Sequence, residues 1–281
     1  MAKFKKIAII GVGLIGGSLG LAIREKGLAR EVVGVTRHRG SLKKAKSIGA
    51  IDRGTLDPLE AAKGADLVVI ATPISQISGL VKKLAGSLKS GCIITDVGSA
   101  KSKVVGQAER VLPKGIYFVG GHPMAGSEKK GVGSASANLF DDSICFLTRT
   151  RRTNPRALKI VRNIWTRVGA RVEVVSPRLH DRIVATVSHL PHLAAFNLAS
   201  AVSSSNLRYA AGGFRDTTRI ASSDPVIWRD IYLANSKEVA KALDRFIRSL
   251  KKTKALILAH EGQKLLKVLK GSKVKRNGYL K

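Results

Sequence analysis

The sequence predicts an α/β protein, with a doubly wound, mainly parallel sheet in an N-terminal domain and an all-helical C-terminal domain. Over residues 1–175, short apolar runs bounded by glycine and proline alternate with stretches of helical periodicity. This alternation is typical of a parallel sheet that carries helices on both faces. After residue 175, alanine, leucine and serine at helical spacing replace the β-branched runs. We therefore expect one domain over 1–175 and a second over 176–281, which ends in a short basic tail from about 271.

Strands and helices are predicted in alternation along the first domain. Apolar runs predict strands over 7–10, 31–35, 67–71, 92–96, 117–119, 144–147 and 171–175. Helical periodicity predicts helices over 14–26, 41–47, 75–88 and 155–168, and in the second domain it covers 179–201 and 227–269. We place the domain boundary at Ser176 and Pro177, where the chain leaves the last strand, because the residue before a proline favours extended backbone.

Cysteine usage indicates the kind of compartment and excludes some kinds of site. The two cysteines, Cys92 and Cys145, lie in apolar stretches and have no metal-ligand spacing around them. We expect buried, inert thiols, no metal site and a reducing, cytoplasmic location. Lysines precede an uncharged stretch over 7–23, which imitates a signal peptide. Its glycines, its lack of a small-residue cleavage site and its length below a membrane span favour a structural segment, so no membrane association is expected.

The net charge favours partners that are anionic. The chain has 50 Lys and Arg against 19 Asp and Glu, a formal charge of +31, while 44% of its residues are hydrophobic. A nucleic-acid-binding protein would concentrate the basic residues in one element with aromatics between them, whereas here both kinds are scattered. We expect small anionic ligands and no nucleic acid. A nucleic-acid-binding or nucleotide-sensing protein remains the alternative from a different class.

A glycine-rich turn predicts a site for a dinucleotide. Gly11, Gly13 and Gly16 form G-x-G-x-x-G directly after the first strand and at the start of the first helix, with Leu14 and Ile15 inside the motif. The first glycine allows the tight turn, the second lets the backbone approach a pyrophosphate, and the third allows close packing of helix and sheet. The free N–H groups of the helix then bind the anion. In this context the motif predicts a Rossmann-type, dinucleotide-binding domain.

The residues at the end of the second strand help to determine whether NAD or NADP is bound. An NAD-binding protein of this type carries an acidic residue there for the ribose 2′-hydroxyl, but this chain has Thr36 followed by Arg37. A hydroxyl and a guanidinium suit a 2′-phosphate, so NADP is favoured over NAD. The alternative is a solvated basic loop in a protein that is basic throughout. Thr72 and Pro73, which follow the strand over 67–71, complete the predicted cofactor-binding set.

Four further segments carry a resemblance to a known family. They read TDVGSAK over 95–101, GGHPMAGSE over 120–128, SHLPH over 188–192 and GGFRDTTRIA over 212–221. Together with the glycine turn, and in this order along nearly the whole chain, they resemble the prephenate/arogenate dehydrogenase family of tyrosine biosynthesis. The resemblance implies an NAD(P)-dependent oxidoreductase whose helical domain binds substrate and forms a homodimer.

The resemblance implies two catalytic residues. His122 matches the catalytic histidine, which would hydrogen-bond the ring hydroxyl of the substrate and accept its proton. Imidazole suits that task because its ordinary pKa of about 6.5 is close to the working pH. Taken alone, a histidine in a glycine-rich turn could equally be structural. Ser99 would orient the histidine and the substrate, although its position after a strand also suggests the N-cap of the next helix.

Four residues are implied to bind substrate. Arg219 matches an arginine whose planar guanidinium binds a carboxylate in two-pronged fashion. His192 matches a histidine that contacts the substrate in prephenate-using members, and Pro191 beside it predicts a kinked helix. Ser127 and Glu128 complete the set. Glu128 could pair with the amino group of arogenate, gate the site, or be solvated beside two lysines.

The reaction that the resemblance implies is the oxidative decarboxylation of prephenate to 4-hydroxyphenylpyruvate. The main alternative is an arogenate or dual-substrate cyclohexadienyl dehydrogenase that uses NADP. His192 favours prephenate, whereas Thr36 and Arg37 favour the NADP-using arogenate members. Another β-hydroxyacid or imine dehydrogenase of the same plan would leave the turn at 121–123 unexplained.

Overall fold

The computed structural model describes residues 4–126 and 131–279. The chain divides into two compact units, of which the first ends at Ser236 and the second begins at Lys237. The predicted boundary between 175 and 176 is a different division and stays a prediction. The two divisions differ because helices that follow residue 176 pack against helices of the preceding sheet domain.

The strands of the first unit form two sheets. They are β1 Phe4–Ile10, β2 Ala29–Val35, β3 Arg53–Thr55, β4 Leu67–Ile70, β5 Ile93–Asp96, β6 Tyr117–Val119, β7 Gly121–Pro123, β8 Ile144–Thr148 and β9 Arg171–Val175. Within the described residues, the larger sheet has six parallel strands in the order β3-β2-β1-β4-β5-β6. This order is that of a doubly wound sheet, so the predicted fold class is confirmed.

Helices cover the sheet and make up the C-terminal part of the chain. They are α1 Leu14–Glu25, α2 Arg39–Ser47, α3 Pro58–Ala62, α4 Ile74–Leu84, α5 Ser102–Val111, α6 Pro155–Arg167, α7 Pro177–Val184, α8 Leu190–Ala201, α9 Gly212–Thr218, α10 Pro225–Ala234, α11 Ser236–Leu258 and α12 Gly262–Tyr279. The sequence-based helices of the first domain agree with α1, α2, α4 and α6 to within a few residues. The short β3, α3 and β7 were not predicted, because their apolar runs are brief, and α5 was predicted only as a helix that begins near Ser99.

Two apolar layers lie on opposite faces of the large sheet. On β1, Ile7 and Ile9 belong to one buried cluster, while Ala8 and Ile10 belong to the other. Successive side chains of a strand point to opposite faces, so a strand that is buried on both faces is apolar throughout. Burial of a side chain such as Ile9 contributes about 1.5–3 kcal/mol. The apolar run therefore fixes the strand at the centre of the sheet.

The smaller sheet differs from the prediction. The strands predicted over 144–147 and 171–175 do not extend the large sheet, but pair with each other as β8 and β9. The third member, β7, is antiparallel to β8, and His122 lies opposite Phe146 in this pair. The three-residue strand Gly121–Pro123 resembles a turn in the sequence because of its glycine and proline. Its pairing places the histidine on a fixed strand rather than in a loop.

A π-helical turn joins α7 to α8. This turn spans Ala185–His189, directly before the first residue of α8. Pro191 has no N–H to donate to the carbonyl of Val187, so a regular α-helical ladder is interrupted at this point. The wider turn accommodates the missing hydrogen bond. The irregularity predicted at this proline is thus seen as a π-helical turn.

The second unit contains the remainder of α11 and all of α12. The helical stretch predicted over 227–269 is divided among α10, α11 and α12, and His260, between the last two, has a φ of 52°. The basic tail predicted from 271 onward is helical to Tyr279 as part of α12. Lysine and arginine are good helix formers, and no proline stops the helix there. Among the described residues, no helix has the length and apolar character needed to cross a membrane.

Candidate active site

The glycine turn lies at the carboxyl end of β1, as the sequence predicts. Gly11 has a φ of +102°, and a Cβ there would lie 2.6 Å from the carbonyl oxygen of Ala71. A Cβ on Gly16 would lie 2.1 Å from the carbonyl oxygen of Gly11. Side chains are therefore sterically excluded at both positions. At Gly13, by contrast, an added Cβ would meet no atom of the described residues within 4 Å.

The space beside Gly13 opens at the point where the strand order reverses. β1 lies between β2 and β4, and the connections on its two sides wind in opposite directions. Open α/β sheets bind ligands in the crevice at this switch point. Thr72, which with Pro73 connects β4 to α4, has a buried hydroxyl with no hydrogen-bond partner among the described residues. The glycine turn and this unpaired hydroxyl together fit a dinucleotide.

Thr36 and Arg37 lie at the carboxyl end of β2, beside the same crevice. The Thr36 hydroxyl donates a hydrogen bond to the carbonyl oxygen of His38 at 2.9 Å, so its oxygen retains the capacity to accept. The Arg37 side chain is exposed. In sheets of this class the end of the second strand is the place that binds the adenosine ribose, and the preference of these two residues for NADP stays a prediction.

The contrast between Gly13 and Gly16 gives a testable prediction. We expect Gly13→Ala to fold normally but to weaken dinucleotide binding by about 1–3 kcal/mol, because the methyl group occupies the space left for the pyrophosphate. The φ of −96° at Gly13 lies outside the left-handed region that alanine avoids. The measurement is a fluorescence titration with NADPH, together with denaturant unfolding.

Gly16→Ala serves as the comparison for this prediction. Its Cβ would collide with the backbone, so we expect it to lower the free energy of unfolding itself by about 1–3 kcal/mol or more. If Gly13→Ala bound NADPH as tightly as the parent protein, the open space beside Gly13 would not be the pyrophosphate site.

His122 lies on β7 and is 7% exposed. β7 follows β6, the last strand of the large sheet, after one residue, so the histidine lies near the carboxyl edge of that sheet. The backbone of Gly121 is hydrogen-bonded on both sides. Its N–H donates to Asp96 Oδ1 at 3.2 Å, and its carbonyl accepts a hydrogen bond from Lys101 Nζ at 2.7 Å. The strand that carries the histidine is thus fixed to the end of β5.

Lys101 and Asp96 form an ion pair that is completely buried. Lys101 Nζ donates to Asp96 Oδ2, and both side chains are 0% exposed. Asp96 Oδ2 also accepts from the N–H of Gly98 at 2.9 Å. Burial lowers the pKa of Lys101, although the neighbouring carboxylates act in the opposite direction. The pair places two opposite charges beside the His122 strand.

A chain of hydrogen bonds leads from His122 to a second histidine and a carboxylate. His122 Nδ1 lies 2.8 Å from His180 Nε2, and His180 Nδ1 lies 2.9 Å from Asp181 Oδ1. The Asp181 carboxylate also accepts hydrogen bonds from the main-chain N–H groups of Lys101 at 2.7 Å and Ser102 at 2.9 Å. Asp181 therefore satisfies the free N–H groups at the start of α5.

The environment of this chain determines its protonation. Burial lowers the pKa of His122 well below its ordinary value, and the nearby His180, Lys101 and His189 lower it further. Burial likewise lowers the pKa of His180. Burial alone would raise the pKa of Asp181, but the hydrogen bonds from His180 and from the start of α5 outweigh it and lower the pKa. At neutral pH, the two imidazoles are neutral and the carboxylate is ionised.

His192 and Arg219 are brought into the same region. The His192 ring stacks on Trp228, with ring centroids 3.7 Å apart and planes 24° apart. His192 Nδ1 donates to the carbonyl of Ser188 at 3.0 Å, so its Nε2 is the acceptor nitrogen. Burial lowers the pKa of His192, and the charge of Arg219 lowers it further, which places the two side chains within electrostatic range. Their roles in substrate binding stay a prediction.

His189 lies between the two groups of residues. Its imidazole is 0% exposed, its Nδ1 is 3.2 Å from Asn235 Nδ2, and its edge faces Trp228 at 6.1 Å between ring centroids. Asn235 Nδ2 in turn donates to the carbonyl of Asp181 at 2.8 Å. A continuous network therefore joins the His122 chain to the His192 region.

One interpretation of Ser99 is wrong. It is not the N-cap of α5, because this helix begins at Ser102 with Lys101 at the N-cap position. Asp181 from α7 supplies the capping oxygens, so a residue from elsewhere in the chain replaces the local cap. Ser99 is half-buried, and its main-chain carbonyl interacts with His189. Its predicted role in orienting His122 stays a prediction, and the predicted Ser127 and Glu128 lie outside the described residues.

The sequence did not indicate several residues of this network. Asp96 and Lys101 lie in the segment TDVGSAK over 95–101 but received no role from it, and His180 and Asp181 lie on α7 outside all four of the segments that carry the resemblance. Trp228 lies in a helix with a second aromatic residue, Tyr232, four positions later, a spacing that is typical of core residues. A histidine followed directly by an aspartate was the only signal for the pair at 180–181.

A Rossmann-type sheet with an open glycine turn, and a buried histidine near the same edge, defines a dinucleotide-dependent dehydrogenase. Family models give the particular family. Residues 19–174 match "Prephenate dehydrogenase, nucleotide-binding domain", and residues 176–271 match "Prephenate dehydrogenase, dimerization domain". The chain therefore belongs to the prephenate dehydrogenase family. The dimerization domain confirms the expected homodimer.

Individual relatives agree with the family model over nearly the full length. The prephenate dehydrogenase of Bacillus subtilis is 38% identical over 97% of this chain and 75% of the relative. The cyclohexadienyl dehydrogenase of Zymomonas mobilis is 35% identical over 98% of this chain and 96% of the relative. The crystal structure of Aquifex aeolicus prephenate dehydrogenase, in complex with hydroxyphenyl propionate and NAD+, has a TM-score of 0.91 at 38% identity and covers 98% of each chain.

More distant structures share the fold alone. A pyrroline-5-carboxylate reductase and a 3-hydroxyisobutyrate dehydrogenase each have a TM-score of 0.53, at 16% and 15% identity. These belong to the imine and β-hydroxyacid dehydrogenases that the sequence left open as alternatives. Family membership establishes a nucleotide-dependent dehydrogenase. It does not decide between NAD and NADP.

Proposed function

We propose that this enzyme oxidatively decarboxylates prephenate to 4-hydroxyphenylpyruvate and prefers NADP. The observation that carries the proposal is the buried His122 near the same sheet edge as the open glycine turn, in a chain of this family. A base at that edge lies where a substrate would meet the nicotinamide of a bound dinucleotide. The names of the Bacillus subtilis and Aquifex aeolicus relatives support prephenate as substrate.

His122 acts as the base for the ring hydroxyl of prephenate. When bound, the nicotinamide supplies the acceptor for the hydride that leaves the carbon bearing this hydroxyl. The imidazole accepts the hydroxyl proton as that carbon becomes a carbonyl. The ring carboxylate then leaves as carbon dioxide, its bonding electrons complete the aromatic ring, and the imidazolium returns the proton to the phenolate oxygen. A lowered pKa keeps the imidazole unprotonated and ready for the first step.

Substrate carboxylates are bound by Arg219 and His192. A guanidinium binds a carboxylate through two parallel N–H donors, and Arg219 is exposed on the turn Arg219–Ser222 where a ligand can reach it. The stacked Trp228 holds the His192 ring in a fixed plane. Ser99 is placed in this proposal as an orienting hydroxyl, while Ser127 and Glu128 are assigned to substrate binding by the family resemblance alone.

A cytoplasmic location completes the proposal. Both cysteines are buried thiols, and burial raises the pKa of Cys92 to about 12. Buried thiols that stay protonated suit a reducing compartment and have no catalytic use.

The proposal is tested by turnover with the four combinations of prephenate or arogenate and NADP or NAD. We expect prephenate with NADP to give the highest kcat/KM. Arg37→Ala should raise the KM for NADP by about 10-fold and leave that for NAD unchanged, because it removes a charge-assisted hydrogen bond worth about 1.5–3 kcal/mol. Arg30→Ala, an exposed arginine near the opposite end of β2, is the matched control and should change neither value.

Each outcome of this assay has a definite meaning. A higher rate with arogenate would make the chain an arogenate dehydrogenase, the alternative that the cyclohexadienyl relative also supports. A higher kcat/KM with NAD in the parent enzyme would refute the role given to Thr36 and Arg37.

A further inference from the structure

We infer that His180 and Asp181 are a positioning pair, which holds His122 in the tautomer whose Nε2 is the base. The inference rests on the proposed function and extends it to residues that the family resemblance does not assign. The three side chains lie in one line of hydrogen bonds, with 2.8 Å between the two imidazoles and 2.9 Å between His180 and the carboxylate. All three are buried.

The position of each proton follows from the carboxylate end of the line. Asp181 is ionised and accepts from two main-chain N–H groups, so it has no proton to donate. His180 Nδ1 must therefore carry a proton and donate it to Asp181. A neutral His180 then has a bare Nε2, which accepts a hydrogen bond from His122 Nδ1–H. A neutral His122 with its proton on Nδ1 has its lone pair on Nε2.

Burial, Lys101 and the two neighbouring imidazoles lower the pKa of His122, so the cation that forms during turnover depends for stabilisation on its hydrogen bond to His180 and on the carboxylate behind it. The titratable groups that face it from the neighbouring strands and helices are Asp96, Lys101, Cys145, His180, Asp181 and His189. Lys101 is paired with Asp96, and the two other imidazoles and the thiol are neutral. Asp181 is left as one uncompensated negative charge. Proton uptake by His122 neutralises this cluster, and its Nδ1–H stays hydrogen-bonded to His180.

A purely structural role does not require this arrangement. Asp181 caps α5 through Lys101 N and Ser102 N without any contribution from His180. The imidazole of His180 is needed only to join the carboxylate to His122. Its ring also packs edge-on to Phe146, which fixes its plane. Asp181 thus has the role of the carboxylate that orients the base histidine of a hydrolase triad, except that the imidazole of His180 lies between this carboxylate and the base.

The experiment compares two substitutions of His180 in the full-length enzyme. His180→Phe keeps the shape of the ring but removes both hydrogen bonds, so we expect kcat to fall about 100-fold or more with little change in the KM for prephenate. His180→Gln can accept from His122 and donate to Asp181, so it should restore most of the kcat. Trp165→Phe, a buried substitution in α6, controls for general loosening of the core.

The ¹⁵N spectrum of labelled histidine reads the tautomer without any turnover. We expect the Nδ1–H tautomer of His122 in the parent enzyme and in His180→Gln, and its loss in His180→Phe. An Nε2–H tautomer of His122 in the parent enzyme would overturn the inference, even if no variant could be purified. So would an unchanged kcat in His180→Phe. If the parent enzyme failed to oxidise prephenate, the proposed function would fall, while the spectrum would still decide the tautomer.

Discussion

Replacement of His122 by asparagine is expected to lower kcat by about 10²–10⁴-fold, the contribution of a positioned general base, while the enzyme still binds prephenate. Asparagine keeps a polar group of similar size on β7 but has no nitrogen that accepts a proton at neutral pH. Hydride departure would then have to proceed without proton removal from the hydroxyl. The measurement is steady-state turnover together with the dissociation constant of prephenate from equilibrium titration.

The pH dependence gives the same prediction a second readout. Because burial lowers the pKa of His122, the acid limb of kcat in the parent enzyme should lie below about pH 6.5, the ordinary pKa of imidazole. This limb should be absent from His122→Asn. His260→Asn is the matched control, since His260 is exposed in the second unit and asparagine tolerates its φ of 52°. Equal turnover by His122→Asn and the parent enzyme would remove His122 from the mechanism.

The part of the site that the sequence predicts is the part encoded locally. The glycine turn at 11–16 is recognisable from six consecutive residues, and the structure shows that Ala71 excludes a side chain at Gly11 and that the backbone of Gly11 excludes one at Gly16. A strand, a turn and a helix that follow one another in the chain are enough to build it. The same holds for the alternation of apolar runs that predicts the large sheet.

The part that the sequence does not predict depends on contacts between distant segments. His122 and His180 are 58 residues apart, and they meet because α7 packs against α5 and β8. The start of α5 is capped by Asp181 of α7, which is distant in the sequence. Local sequence signals suggested the nearby Ser99 as the cap instead. The burial of Lys101 also cannot be recognised from the sequence of a chain with 50 basic residues. Surface lysines and a buried lysine are the same residue type, and only the packing around each side chain distinguishes them.

Replacement of Lys101 by methionine is expected to lower the free energy of unfolding by about 3–5 kcal/mol, since removal of one partner of a buried ion pair leaves the other charge uncompensated. Methionine preserves the length and the apolar stem of the side chain. Asp96 would then be a buried charge without its cation, since it is 0% exposed and, within the described ranges, keeps two main-chain donors, Gly98 and Gly121. Denaturant unfolding of the purified protein, followed by circular dichroism, measures the effect.

Two further variants separate the buried charge from the loss of a lysine. Lys89→Met breaks the ion pair with Asp66, whose side chains are 40% and 26% exposed, and should cost only about 0–1 kcal/mol because solvent screens the pair. Adding Asp96→Asn to Lys101→Met removes the stranded charge, so it should recover part of the lost stability. A small effect of Lys101→Met, comparable to that of Lys89→Met, would mean that the contact between Lys101 and Asp96 is a neutral hydrogen bond rather than an ion pair. The strand that carries His122 would then be fixed by neutral hydrogen bonds, and Asp181 would be the only fixed charge beside the base.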